Sequence, residues 1–264
     1  MASEVDTAPR TAARLLAAGA STLGVSVLLD SAMEHYRGSF RNPAMALPLA
    51  ASAISIAFDG SGRGGGFPRT ASHSASVAIG LTGLGFHTFN VFKRPSGLTF
   101  NNLFYGAPIG APGALILSGL LGAASDRLSG DGGALGSGRL LAGLAAFGIF
   151  GSVGEAGLLH LKGSFQNPAM WLPVTIPPLA AASLAVDAMT GVPRPWTTAL
   201  LGATALVGTV GVAFHAYGVS RNMGGWRNWR QNLLAGPPMP APPAFAGLAI
   251  AALGAVLLMR RARG

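Results

Sequence analysis

The chain has no cysteine among its 264 residues. Disulfides, cysteine-ligated zinc and iron–sulfur clusters are therefore excluded, and the redox compartment cannot be read from thiols. Charge is also scarce. Only 10% of the residues are Asp, Glu, Lys or Arg, against about 25% in an ordinary soluble domain. A soluble globule of this length could not clothe its surface with so few. Acidic residues are the scarcer kind: 9 Asp and Glu stand against 18 Lys and Arg, a formal charge of +9. That excess does not point to nucleic acid. The basic residues sit in short loops between apolar runs, where a membrane protein keeps them. No phosphate-cradling glycine loop, nucleophile elbow or His-Glu-x-x-His motif is present. What the chain does have is apolar mass, with half of its residues hydrophobic, together with 39 Gly and 18 Pro. Disorder is excluded by the first. The second is tolerated inside lipid-embedded helices, because neighbouring helices re-satisfy the backbone.

A membrane-crossing helix needs about 20 mostly apolar residues. The sequence predicts eight, over residues 12–36, 43–59, 70–92, 109–125, 139–161, 168–188, 195–219 and 243–259. The first carries Arg14 and is too long for a cleaved signal peptide, so it is expected to be retained. Residues 60–69 and 128–138 are glycine-rich connections.

The chain also repeats itself. His35-Tyr-Arg-Gly-Ser-Phe-Arg-Asn-Pro-Ala-Met-Ala-Leu-Pro48 returns as His160-Leu-Lys-Gly-Ser-Phe-Gln-Asn-Pro-Ala-Met-Trp-Leu-Pro173, with 10 of 14 positions identical at an offset of 160 − 35 = 125. Phe86-His87 returns as Phe214-His215, at 215 − 87 = 128. Asn102-Leu103, Gly106, Pro108 and Ala111-Pro112 return as Asn232-Leu233, Gly236, Pro238 and Ala241-Pro242, at 232 − 102 = 130. The expected fold is thus an all-α, polytopic integral membrane protein of eight transmembrane helices. They form a tandem parallel 4+4 repeat: residues 1–127, a linker at 128–138, and residues 139–264. Each half holds an even number of spans, so both begin on the same side, and the relating axis lies along the membrane normal. Asn42-Pro43 and Asn167-Pro168 read as helix starts, with Asn as cap and Pro in the first turn. The Ala-Pro pairs sit at the entrances to spans 4 and 8.

With alternate spans running the same way, His35, His87, His160 and His215 all fall near the side opposite the N-terminus. Asp30 and Glu155 each precede a matched histidine by five residues, roughly 7 Å deeper at 1.5 Å rise per residue. Ionisable groups inside spans are expensive and normally face the bundle interior with a partner. Imidazole and carboxylate together suit iron, copper, zinc or manganese, and four-helix carboxylate–histidine bundles hold di-iron centres in this way. The four histidines are therefore candidate cofactor ligands, and the same four with Asp30 and Glu155 are candidate metal ligands. The cofactor would be a non-haem metal (iron, copper or zinc) or a b-type haem held by histidine pairs. A structural alternative has the histidines bonding loop carbonyls or the two acids. Residues five apart on a helix point about 140° apart. Asp30 and His35 could then share one ion only if the helix unwound near Gly38; otherwise the acids orient a neighbouring histidine. Glu34, whose repeat match is Leu159, reads as interfacial.

Arg37, Arg41, Lys162, Asn102 and Asn232 would shape the mouth on that side or dock a partner protein. Trp226 and Trp229 with Arg227 and Arg230 read as an interfacial anchor. The small-residue pattern reads as helix packing. His73 and Asp59 lie toward the N-terminal side. His73 has no repeat counterpart, and Asp59 has only a loose one in Asp187. The leading expectation is a membrane redox or metal-site protein, an oxidoreductase or an electron-transfer subunit of one. It would pass electrons between a docked partner and a quinone. The alternatives are a transporter or channel with Asp30 and Glu155 as coupling groups, and a membrane anchor for a soluble enzyme. The 18 Lys and Arg divide almost evenly between the two sides. Arg10 and the terminal Arg260-Arg261-Ala-Arg263 place both termini in the cytoplasm, in a bacterial-type inner membrane.

Overall fold

The computed structural model describes residues 8–60, 66–106, 108–129 and 137–263. Among these residues every regular element is helical. The helices are α1 (Ala8–Arg37), α2 (Leu47–Gly60), α3 (Phe67–Phe92), α4 (Phe100–Phe104), α5 (Gly110–Ser129), α6 (Gly138–Lys162), α7 (Leu172–Thr190), α8 (Pro195–Arg221), α9 (Trp229–Ala235) and α10 (Pro243–Arg261). All eight expected apolar segments are helical. Six of them are long and apolar enough to cross a membrane: α1, α3, α6, Pro168–Thr190 ending in α7, α8 and α10. The segment Pro43–Asp59 is apolar but shorter. Helix α5, which carries Asp126 and Arg127 near its end, is not among the six. The chain is thus all-helical with several apolar helices suited to a bilayer. The glycine-rich stretches fall largely outside the described residues, at 61–65 and 130–136. Where the chain resumes, α3 starts at Phe67, three residues before the expected boundary.

The entries into α2 and α7 follow from the sequence. Asn42 accepts a hydrogen bond from the Ala44 N–H, and Asn167 accepts one from Ala169, both at 2.9 Å. Each Asn opens a single 3₁₀ turn, Pro43–Ala46 or Pro168–Trp171, before the α-helix proper. Proline fits there because the first-turn N–H has no helical partner to lose. Asn167→Ala should cost about 1 kcal/mol through loss of this cap. Thermal unfolding in detergent measures it, and an unchanged midpoint would mean the cap is dispensable.

Four helices form the centre. Helix α1 packs on α5 and α10, and α6 packs on α10 and α5, so the four close into a ring. Helices α2 and α3 flank α1 and α5, while α7 and α8 flank α6 and α10. The core is small and aliphatic, with Ala12, Leu16, Ala20 and Leu23 of α1 against Ala249, Ala252 and Val256 of α10. Lipid tails are as apolar as these side chains, so close packing and interhelical hydrogen bonds carry the association. Gly19 and Gly247 face each other: a Cβ at Gly19 would lie 2.6 Å from the Gly247 carbonyl oxygen. Ser118 and Ser125 of α5 donate to the Ala20 and Ala13 carbonyls of α1, at 2.9 and 2.8 Å. Not every glycine serves packing, however. A Cβ at Gly143, Gly151, Gly154 or Gly202 would meet nothing within 4 Å.

Candidate functional site

One end of the bundle gathers the ends of α1, α3, α6 and α8 with the starts of α5, α7 and α10. The first histidine of each sequence block closes a turn. Helix α1 stays helical through Arg37, and then Ser39 and Phe40 take φ of 59° and 45°. Ser164 and Phe165 repeat this after α6, at 55° and 48°. Positive φ is uncommon outside glycine and is costly for bulky residues. Here the chain adopts it twice in succession in each sequence block. The Phe40 N–H bonds the His35 carbonyl at 3.0 Å, and the Phe165 N–H bonds that of His160 at 3.1 Å. This reversal brings the next helix start back over the imidazole. His35 Nδ1 then lies 2.6 Å from the Met45 carbonyl oxygen, and His160 Nδ1 lies 2.8 Å from that of Met170.

The second histidine of each block meets the loop entering the following long helix. His87 Nδ1 bonds the Pro108 carbonyl, and His215 Nδ1 bonds that of Pro238 at 2.7 Å. A carbonyl oxygen can only accept, so Nδ1 must carry the proton in all four rings. In neutral imidazole this leaves a lone pair on Nε2, which is how ligating histidines are normally set. His160 and His215 also meet each other, with ring centres 6.4 Å apart and planes at 67°. Among the described residues they are the one matched pair in ring contact.

The acids sit deeper and do not join the histidines. Because α1 does not unwind before Gly38, Asp30 and His35 remain on different faces. Glu155 instead accepts a hydrogen bond from the Gly110 N–H, and Asp30 across the ring lies within its electrostatic reach. A side chain at Gly110 would occupy the place of the Glu155 carboxylate. The repeat counterpart of Gly110 is Pro240, which has no N–H to give; its carbonyl accepts from Ser26 at 2.6 Å. The matched acids are therefore not equivalent. Among the described residues, no three His, Asp or Glu side chains converge closely enough to hold a metal ion. The six expected ligands do not gather about one point.

The loop residues divide by role. Asn102 Nδ2 donates to the Pro95 and Gly97 carbonyls at 2.9 and 2.6 Å, and Asn232 Nδ2 to those of Met223 and Gly225 at 3.1 and 2.8 Å. Both amides thus staple their own loops. Lys162 lies over the Phe104 ring at 4.9 Å, which ties α4 to the end of α6. Arg230 of α9 bonds the Tyr36 hydroxyl at the end of α1. Each sequence block therefore covers the first helix of the other. Arg37 pairs with Glu34, while Arg41 is exposed. Trp226 and Trp229 are 48% and 58% exposed, as an anchor requires. Beside His160 an open groove of about 490 Å³ is lined by Gly154, Gly157, Leu161, Phe165, Trp171 and Phe100. Phe165 touches the His160 ring edge-on at 6.0 Å.

Sequence reasoning missed a charged cluster at the opposite end. Asp59, Arg69, His73 and Asp126 meet there, buried. Helical spacing on α3 puts Arg69 and His73 one turn apart, and that signal was available. The reach of Asp126 to them was not. Asp187 makes a simpler arrangement, accepting from the Arg194 N–H at 3.0 Å with Arg194 Nε at 3.5 Å.

Comparison with known proteins finds no matching family model, no similar curated protein and no similar solved structure.

Proposed function

We propose that the chain is an eight-span integral membrane protein, fused from two four-helix halves, and that it holds a redox cofactor at its histidine-bearing end. The observation that carries this reading is the shared anchoring of four matched imidazoles, each with Nδ1 fixed on a loop carbonyl and Nε2 left with its lone pair. Two imidazoles bound to one iron from opposite sides, at about 2 Å each, have ring centres about 6 Å apart; the His160–His215 spacing of 6.4 Å is close to this. A haem takes only two ligands from the protein. A two-histidine set therefore suits b-type haem better than a multi-ligand non-haem centre, which wants a third side chain. The haem would supply one-electron chemistry. His160 and His215 would orient it, and the adjoining apolar groove would take its ring edge or a quinone. Arg37, Arg41 and Lys162 would dock an electron-transfer partner on that side.

An optical spectrum and metal analysis of the purified protein test this. A Soret band with near-stoichiometric iron is the expected result. Near-stoichiometric copper or zinc without that band would move the reading to the non-haem centre, and absence of both would remove it. The second reading, transport, is favoured by one observation: Asp30 and Glu155 lie near each other between the halves. Proton or cation flux into vesicles, lost in Glu155→Gln, would support it.

A further inference from the structure

The cluster at the opposite end uses residues that the proposed cofactor site does not. Arg69 Nη2 lies 3.2 Å from Asp59 Oδ1, and Arg69 Nε pairs with Asp126. His73 Nε2 stands between the two acids, 3.5 Å from Asp59 Oδ1 and 3.3 Å from Asp126 Oδ2. The Asp59 and His73 side chains are each 1% exposed. Around His73 the facing groups are Asp59 from α2, Asp126 from α5, Arg69 from α3 itself, and the Ser21 hydroxyl of α1, which donates to Asp59 at 3.4 Å. His73 Nε2 is at ion-pair distance but out of hydrogen-bond alignment with both acids, and its buried Nδ1 has no partner.

Charge counting sharpens this. Among the described residues, two carboxylates and one guanidinium leave one net negative charge, and an uncompensated buried charge is costly. One further proton cancels it. Three groups can carry that proton: the imidazole and either carboxylate.

The second half of the sequence shows that folding does not require such a cluster. The offset of 128 fixed by His87 and His215 runs back along unbroken α3 and α8, where Arg69 matches Thr197, His73 matches Leu201 and Gly80 matches Gly208. The offset of 130 along α5 and α10 matches Asp126 with Val256. Thr197, Leu201 and Val256 are all buried. Equivalent ground in the second half thus keeps one buried acid, Asp187, paired with Arg194, and has Leu201 and Val256 where the first half has His73 and Asp126. Hydroxyls also extend from the cluster in the first half. Ser55 bonds Ser72 and Ser76, both at 2.9 Å. Ser52, about 10 Å along α2 from Asp59, has a buried hydroxyl without a partner; its match at the offset of 125 that holds where α2 begins is Pro177.

We propose that Asp59, His73 and Asp126, held by Arg69, form a proton-binding site at this end of the first half, with the Ser55, Ser72 and Ser76 hydroxyls extending it into the bundle. The site rests on its own geometry and is independent of any cofactor at the other end. The test is proton uptake by the full-length protein in detergent between about pH 5 and 8, compared with H73L/D126V, which installs the residues of the second half. Histidine ¹⁵N resonances are followed in parallel. His73 is the one buried histidine of the five, so slow solvent exchange identifies its ring. The expected result is about one proton fewer taken up by the variant at unchanged helicity, and reversible protonation of the slowly exchanging ring in the wild type. Equal uptake in the two proteins would overturn the proposal and leave a fixed ion network, whereas a deficit in the variant with a ring that never titrates would support the site and put its proton on a carboxylate. Should H73L/D126V not fold, H73N/D126N, which removes the same two ionisable groups with polar replacements, is compared with the wild type on the same uptake criterion.

Discussion

His215→Ala is expected to abolish binding of the proposed haem, and His160→Ala to do the same. The argument is geometric. Each ring is aimed by a single Nδ1 bond, His215 to Pro238 and His160 to Met170, and the two ring centres lie 6.4 Å apart with planes at 67°. Alanine removes the Nε2 donor outright, and no third His, Asp or Glu converges there among the described residues to replace it. Iron content should fall at least tenfold and the Soret band should disappear. The matched change His87→Ala is the informative control, because its ring is not in contact with that of His35. It should leave the His160–His215 site loaded. Equal loss from all three histidine variants would instead indicate collapse of this end of the bundle. Retention in His215→Ala would remove the pair as ligands.

The second large effect is mechanical. Gly247→Leu should prevent stable folding or lower the unfolding midpoint sharply. A Cβ at Gly247 would lie 2.8 Å from the Gly19 carbonyl oxygen and 3.0 Å from the Leu23 nitrogen. Both are backbone atoms and cannot swing aside. Overpacking a well-filled core costs about 1–3 kcal/mol, and here the strain falls on the seam between α1 and α10. Gly202→Ala is the control, since nothing lies within 4 Å of a Cβ there. Thermal unfolding followed by circular dichroism reads both. Equal midpoints would mean that α1 and α10 are not packed this closely.

Helix positions were legible because apolar runs and Asn-Pro starts are local signals. The anchoring of the histidines was half legible. Repeat arithmetic brought His35, His87, His160 and His215 to one end, and loop carbonyls were among the partners considered. That the partners of His35 and His160 would be Met45 and Met170 depended on a two-residue left-handed reversal at Ser39-Phe40 and Ser164-Phe165. Neither Ser nor Phe advertises that conformation. Gathering Asp30 and Glu155 into a single centre with the imidazoles was an expectation the helix phase opposed, and α1 keeps that phase to Arg37. The Asp59–His73–Asp126 cluster is not legible in the repeat, because His73 and Asp126 have no counterparts of their kind in the second half. Small residues misled in part. Gly19, Gly208 and Gly247 serve close approach, whereas Gly151 and Gly154 leave open surface.

The contacts of Lys162 with Phe104 and of Arg230 with Tyr36 work as a pair of crossed latches. Each lobe keeps a hand on the leading rod of its sibling. A rocking cycle, in which the lobes tilt past one another to expose a pathway alternately to each side, would have to release both latches at every stroke. A carrier working by that cycle would be hindered by such a clasp, whereas a stationary platform for passing electrons would be steadied by it.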